Sequence, residues 1–150
     1  MTQLLTPEER TATLDMIAGE IRKCTKCPLY SGRTNAVPGA GPYTADIMFI
    51  GEGPGFHEDK QGLPFVGASG QLLEEWLASI NLTRNDVFIT NVVKCRPPGN
   101  RDPEPIEVET CTTNYLFRQI ELINPKVIVT LGRYSMGLFF PKAKITQIHG

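Results

Sequence analysis

Marks of several large protein classes are missing from the sequence. No stretch approaches the roughly 20 apolar residues that a bilayer-spanning helix needs. The start, Met1-Thr-Gln-Leu-Leu-Thr-Pro-Glu-Glu-Arg10, has no basic region followed by an apolar run. A cytosolic, cytoplasmic protein is therefore expected. An excess of one charge sign is missing too: the formal net charge is -1 and the pI about 6.1, so bulk electrostatics carry no sign of a nucleic-acid partner. Internal repeats and low-complexity segments are absent. So are the Lys-Ser/Thr of a phosphate loop and the glycine spacing of the dinucleotide fingerprint, which sets nucleotide cofactors aside.

The composition fits one globular domain over residues 1–150, with 41% hydrophobic and 21% charged residues. Four cysteines fall into a close pair, Cys24 and Cys27, and a distant pair, Cys95 and Cys111. In a reducing compartment such cysteines are metal ligands or inert core thiols more often than disulfides. The spacing Cys24-x-x-Cys27 alone allows zinc, a redox dithiol or an iron-sulfur cluster.

Hydrophobic periodicity organises the chain. Thr6-Pro7-Glu8-Glu9 reads as an N-cap, a first-turn proline and a capping-box glutamate, with Leu14, Ile17 and Ile21 on one helical face. That helix is expected to end near Lys23, at the first cysteine pair. Residues 28–44 read as an ordered loop, and Ile47–Ile50 as a continuous apolar strand of the kind buried in a parallel sheet. Leu72, Leu73, Trp76, Leu77 and Ile80 repeat with helical period. Residues 87–93 read as a second strand. A helix from about Glu104 to Leu122 carries Val108, Cys111, Tyr115 and Ile120 near one face, 127–130 is a third strand, and a short helix holds Met136, Leu138 and Phe139. Strands alternating with helices predict a parallel sheet covered on both faces, with ligands at the carboxyl ends of the strands.

The loop after the first strand, Gly51-Glu-Gly-Pro-Gly-Phe-His-Glu-Asp59, leaves from such an end. Its glycines let backbone approach a ligand closely. Glu52, Glu58 and Asp59 can position a water and stabilise a developing cation. On residue type alone, acids in such a loop more often cap the next helix or bind backbone amides. Phe65 reads equally as a core aromatic, Asn91 as a turn cap, and His57 as a solvent-exposed loop residue. Lys94 to Arg101 is a short basic loop able to meet a few phosphates.

Together, Gly51-Glu-Gly-Pro-Gly-x-x-Glu-Asp59, Gly62-x-Pro-Phe-Val-Gly67, Gly70-x-Leu-Leu73, Thr90-Asn-Val-Val-Lys-Cys-Arg-Pro-Pro98 and the four cysteines resemble a family 4 uracil-DNA glycosylase of the iron-sulfur type. The match runs in order from Cys24 to Gly150. The resemblance implies a three-layer α/β/α fold with a central parallel sheet, a [4Fe-4S] cluster, and removal of uracil from single- or double-stranded DNA. It makes Cys24, Cys27, Cys95 and Cys111 the cluster ligands, Phe65 the residue that stacks on a flipped uracil, and Asn91 the amide that reads its edge. Glu52 and Gly53 align with the family's catalytic loop, with Glu58 and Asp59 in support. A related family carries an aspartate where Gly53 stands, which leaves the identity of any general base open.

Members of the family continue past the His149-Gly150 seen here into a further strand and a His-Pro-containing loop. The resemblance therefore implies a C-terminally incomplete domain, and His149 does not take the place of that later histidine. Two other readings remain: an iron-sulfur DNA-binding module that holds DNA without cutting, and a zinc-stabilised scaffold without a uracil site. A monomer is expected.

Overall fold

Thr6 starts the first helix. Its hydroxyl accepts a hydrogen bond from the Glu9 amide while a Glu9 carboxylate oxygen accepts from the Thr6 amide, each at 3.1 Å, closing the capping box that the sequence spells out. Helix α1 then runs Pro7–Arg22. The computed structural model describes residues 5–139, so the expectation about His149 lies outside the described part.

Strand β1 is Ile47–Gly51, helix α2 Phe56–Gln61, helix α3 Ala68–Ser79, and strand β2 Phe88–Asn91. A long helix follows in two pieces, α4 (Pro105–Cys111) and α5 (Phe117–Ile123), joined by a π-helical segment Thr112–Leu116. Strand β3 (Val127–Thr130) and helix α6 (Arg133–Phe139) complete the described chain. The sheet is parallel, in the order β2-β1-β3, with Gly51 opposite Asn91 and Ile50 opposite Thr130.

Alternation along β1 makes the layers. Met48 and Ile50 point into one core with Leu14, Ile17 and Ile21 of α1 and Leu116, Leu122 and Ile123 of the long helix. Phe49 points the other way, against Leu73 and Leu77 of α3 and Ile89 of β2. The result is the three-layer α/β/α arrangement expected, since a strand buried on both faces must be covered on both. Each fully buried Leu or Ile stabilises the fold by about 1.5–3 kcal/mol.

Several expectations change in detail. The second strand is Phe88–Asn91 rather than 87–93, because the chain bends after Asn91 to carry Cys95 toward α4. The loop after β1 contains the helix α2, and exposed His57 sits on it. On α3 only one of the two apolar rows is buried: Leu73 and Leu77 are 1% exposed, whereas Leu72, Trp76 and Ile80 are 45%, 50% and 59% exposed. No helix among the described residues is long and apolar enough to cross a membrane.

Candidate active site and metal centre

The carboxyl ends of all three strands converge. The Val92 amide donates to Gly51 O at 2.8 Å, Val93 to Glu52 O at 3.1 Å, and Leu131 to Ile50 O at 2.9 Å. These bonds carry the sheet pairing past the strand ends and hold the loops in register. Between them opens a cleft lined by Glu52, Gly53, Gly55, Glu58, Phe65 and Asn91, among others.

Phe65 and Asn91 meet over Gly51. A Cβ at Gly51 would lie 2.5 Å from Asn91 Oδ1 and 2.5 Å from Phe65 Cζ, so only glycine leaves room for both side chains. Asn91 is 2% exposed, yet among the described residues its side-chain amide has no hydrogen-bond partner within the protein and it lines the cleft. Its polar atoms open onto the cleft, where water or a ligand can supply the partner. Phe65 has φ +52°, a left-handed conformation unusual for a bulky residue. Arg84 holds it there, with Nη1 donating to Pro64 O at 3.0 Å and Nη2 donating to Phe65 O. Nothing in the sequence marked Arg84.

The three carboxylates all take backbone amides. Glu52 Oε1 accepts from Tyr134 N and Oε2 from Ser135 N, both at 2.9 Å, so this residue ties the loop to the first turn of α6. Glu58 Oε1 accepts from Gly55 N at 3.0 Å, and Oε2 from Val66 N and Gly67 N at 2.9 Å each. Burial pushes its carboxyl up, but the amides of Gly67, Val66 and Gly55 outweigh that and hold it below the usual glutamate range. Asp59 is buried and turned away from the cleft; its Oδ1 accepts from Thr34 N at 2.8 Å and Asn35 N at 3.2 Å. Gly53 has little spare room, since a Cβ there would lie 2.8 Å from Val93 Cγ2.

The basic loop is only partly basic in space. Lys94 is 1% exposed, not available to a phosphate as the sequence suggested. Its ammonium donates to Thr90 Oγ1 at 2.6 Å and Asn91 O at 2.9 Å, and burial pushes its pKa down to about 8. Arg101 makes a two-pronged pair at 2.9 Å with Glu107, which is 1% exposed.

On the sheet's α1 side, all four cysteines line one hollow with Ile21, Leu29, Arg33, Lys94 and Tyr115. Cys24 and Cys27 follow the end of α1, Cys95 follows β2, and Cys111 closes α4 where the π-helical turn begins. That turn, often found at functional positions, keeps Cys111 and Tyr115 both facing the hollow. Three sulfurs receive N–H donors: Cys24 from Lys26 N at 3.4 Å, Cys95 from Arg33 Nη1 at 3.2 Å, and Cys111 from Lys94 N at 3.3 Å. Arg33 also donates to Cys24 O at 2.6 Å and Arg22 O at 3.1 Å, bridging the two cysteine pairs. Burial pushes the Cys27 and Cys95 thiols up and Cys111 up to about 12. A bound cation is what would favour the thiolates.

Among the described residues no three His, Cys, Asp or Glu side chains are grouped to hold a single metal ion. One zinc ion draws its thiolates to about 2.3 Å from a single point. Four cysteines line the common hollow, three of them with N–H groups aimed at their sulfurs, a donor set that fits a thiolate-held metal centre.

A model of the uracil DNA glycosylase superfamily matches residues 38–149. The chain belongs to the uracil DNA glycosylase superfamily. It is similar to the type-4 uracil-DNA glycosylase of Archaeoglobus fulgidus, with 58% identity over 85% of this chain and 64% of the relative. Similarity to the type-4 enzyme of Saccharolobus solfataricus is also 58%, over 86% of this chain and 60% of the relative. The type-4 enzyme of Thermotoga maritima is 48% identical over 94% of this chain and 74% of the relative, a span long enough to take in all four cysteine positions. These matches put the chain with the type-4 members of the superfamily. It spans less than two thirds of the length of the Archaeoglobus and Saccharolobus relatives.

Proposed function

We propose that this chain carries the uracil-binding and hydrolytic site of a uracil-DNA glycosylase, acting as a monomer in the cytoplasm at the start of base excision repair. The observation that carries the reading is the Asn91 amide, without a hydrogen-bond partner among the described residues, facing Phe65 across Gly51. A base flipped into that space stacks on the Phe65 ring. The Asn91 amide matches uracil's edge, its NH2 donating to a ring carbonyl and its oxygen accepting from the ring N–H.

Cleavage breaks the bond between uracil N1 and the sugar C1′. The electron pair leaves with uracil as an anion, C1′ gains oxocarbenium character, and water adds there while losing a proton. Each Glu52 oxygen accepts one amide and retains a second lone pair, so Glu52 serves both to hold the loop and to orient the water beside a negative charge. Gly53 brings backbone to the base. Glu58 and Asp59 position the loop, Glu58 from the cleft wall and Asp59 from behind it.

Cys24, Cys27, Cys95 and Cys111 would hold a [4Fe-4S] cluster. When bound, it supplies iron–thiolate bonds that tie α1, the loop after β2 and α4 into one unit. Arg33 holds the cysteine pairs together, and Lys94 links Cys95's neighbourhood to the Asn91 carbonyl.

The test is release of free uracil from a single-stranded oligonucleotide carrying one uracil, beside the same oligonucleotide carrying thymine. Uracil release without thymine release is expected. Tight binding of the uracil strand without release would replace this reading with that of a DNA-binding module.

A further inference from the structure

The two rims of the cleft differ in charge. On one side Arg101 is spent on Glu107, and Arg133 pairs with Asp102 at 2.7 Å. On the other, Phe56 opens α2 directly after cleft-lining Gly55, and Arg96 directly precedes cleft-lining Pro97. The Phe56 ring is 46% exposed. Lys60 Nζ lies 4.8 Å and Arg96 Cζ 5.5 Å from its centroid, and His57 stands edge-on at 5.3 Å. Neither cation makes an ion pair among the described residues. The carboxylates closest in sequence to Lys60, Glu58 and Asp59, are engaged with backbone amides, and Asp102, closest in sequence to Arg96, pairs with Arg133. Arg96 is steered by its Nε–H, which donates to Asn100 Oδ1 at 2.7 Å, and Asn100 lines the same cleft.

Cation–π contacts, weak at an exposed site, hold Lys60 and Arg96 over the Phe56 ring and still leave 46% of Phe56 open to solvent. It is the combination that single-stranded nucleic acid uses: a π-face for a base and positive charge for the adjoining phosphate. We propose that the nucleotide next to the flipped uracil stacks on Phe56, with its phosphate met by Lys60 and Arg96, so that a single-stranded DNA flank leaves the cleft over α2. This inference rests on the reading of the cleft as a uracil pocket. In a duplex the neighbouring base stays stacked on its own neighbours, so the Phe56 platform acts on single strands.

The probe is a fluorescein-labelled single-stranded oligonucleotide with one 2′-fluoro-2′-deoxyuridine, whose glycosidic bond resists cleavage, with its duplex and its thymine counterpart alongside. Anisotropy titrations are run with this chain and its Phe56→Ala, Phe56→Trp and Arg96→Gln variants. Phe56→Ala is expected to raise Kd for the single strand about tenfold, the size one base stack carries. It should leave the duplex Kd unchanged, and Phe56→Trp should restore single-strand binding. Arg96→Gln is expected to lower the slope of log K against log salt by about 0.7, one phosphate on a single strand. A single-strand Kd within twofold for Phe56→Ala, or an equal loss on the duplex, overturns the proposal. A Phe56 effect that persists while uracil and thymine strands bind equally supports the flank and overturns the uracil pocket instead.

Discussion

The cysteine hollow and the cleft both draw on the loops that leave the sheet at its carboxyl end, yet they treat polar groups in opposite ways. In the hollow, Cys95 and Cys111 are buried with N–H groups aimed at their sulfurs, and apolar Ile21 and Leu29 form part of the wall. Its one wholly buried cation, Lys94, is satisfied by Thr90 and the Asn91 carbonyl. Around the cleft, Glu52 and Glu58 are satisfied by backbone amides while the Asn91 amide has no protein partner among the described residues. In the hollow three of the four sulfurs meet N–H donors; in the cleft the Asn91 amide meets no partner among the described residues. A half-satisfied network is costly in a core, whereas an amide that opens onto a cleft can be met by water or by a ligand.

Removing a thiol should disturb this division most. Cys111→Ser should abolish iron incorporation, measured as bound iron and visible absorbance per chain, because three thiolates do not complete the ligand set. Uracil release should then fall too, through loss of the anchor beside Asn91. Next in size, Asn91→Ala should reduce uracil release by about a hundredfold, the order lost when one hydrogen-bond donor to a developing anion is removed. Iron content should stay unchanged. Phe65→Ala should act in the same direction. Unaltered rates in both variants, with iron retained, would remove the pocket from this cleft.

Much of the fold is legible in the chain alone, and the reason differs by element. Helix α1 can be bounded to within a residue because Thr6, Pro7 and Glu9 form a local capping device whose chemistry does not depend on the rest of the fold. The apolar run 47–50 points to a parallel strand because burial on both faces leaves a mark in the strand itself; 127–130 is as apolar, yet its strand is only partly buried, with Val127 51% exposed. The four cysteines can be singled out but not assembled, since a pair 16 positions apart is brought together only by the turn after β2 and the helix beyond it. The π-helical turn at Thr112–Leu116 has no local signature, and neither does the work of Arg33 or Arg84, whose partners lie far along the chain. Lys94 is misplaced by a reading of its neighbours because position in a polar stretch does not reveal that a side chain turns inward onto Thr90. On α3 periodicity identifies the helix and not the buried row; Leu73 and Leu77 face β1 and β2, and the Trp76 row faces outward.

A smaller effect is expected at the loop itself. Glu58 is a negative acceptor for three backbone amides at the turn that presents Phe65 and Gly67. In Glu58→Gln one side-chain atom becomes an NH2 donor that must face an amide donor, so at least one of these bonds is lost. The partly exposed position keeps the cost at about 1–2 kcal/mol near neutral pH. The folded-state pKa of Glu58 lies below its ordinary value. Its contribution is therefore complete above about pH 4.3, the unfolded glutamate value, and is lost as pH falls through the lower folded pKa. Thermal midpoints of the two proteins should differ at pH 7 and converge on acidification toward about pH 3. The sulfur ring gives the opposite expectation. Its thiols must lose protons to bind iron, so mild acid should release iron from wild type and Glu58→Gln alike. A gap in thermal midpoint that stays constant down to about pH 3 would mean that the Glu58 charge does not hold the loop. The amides would then be satisfied as well by a neutral acceptor, and the cleft would no longer differ from the hollow in how its fixed polar groups are held.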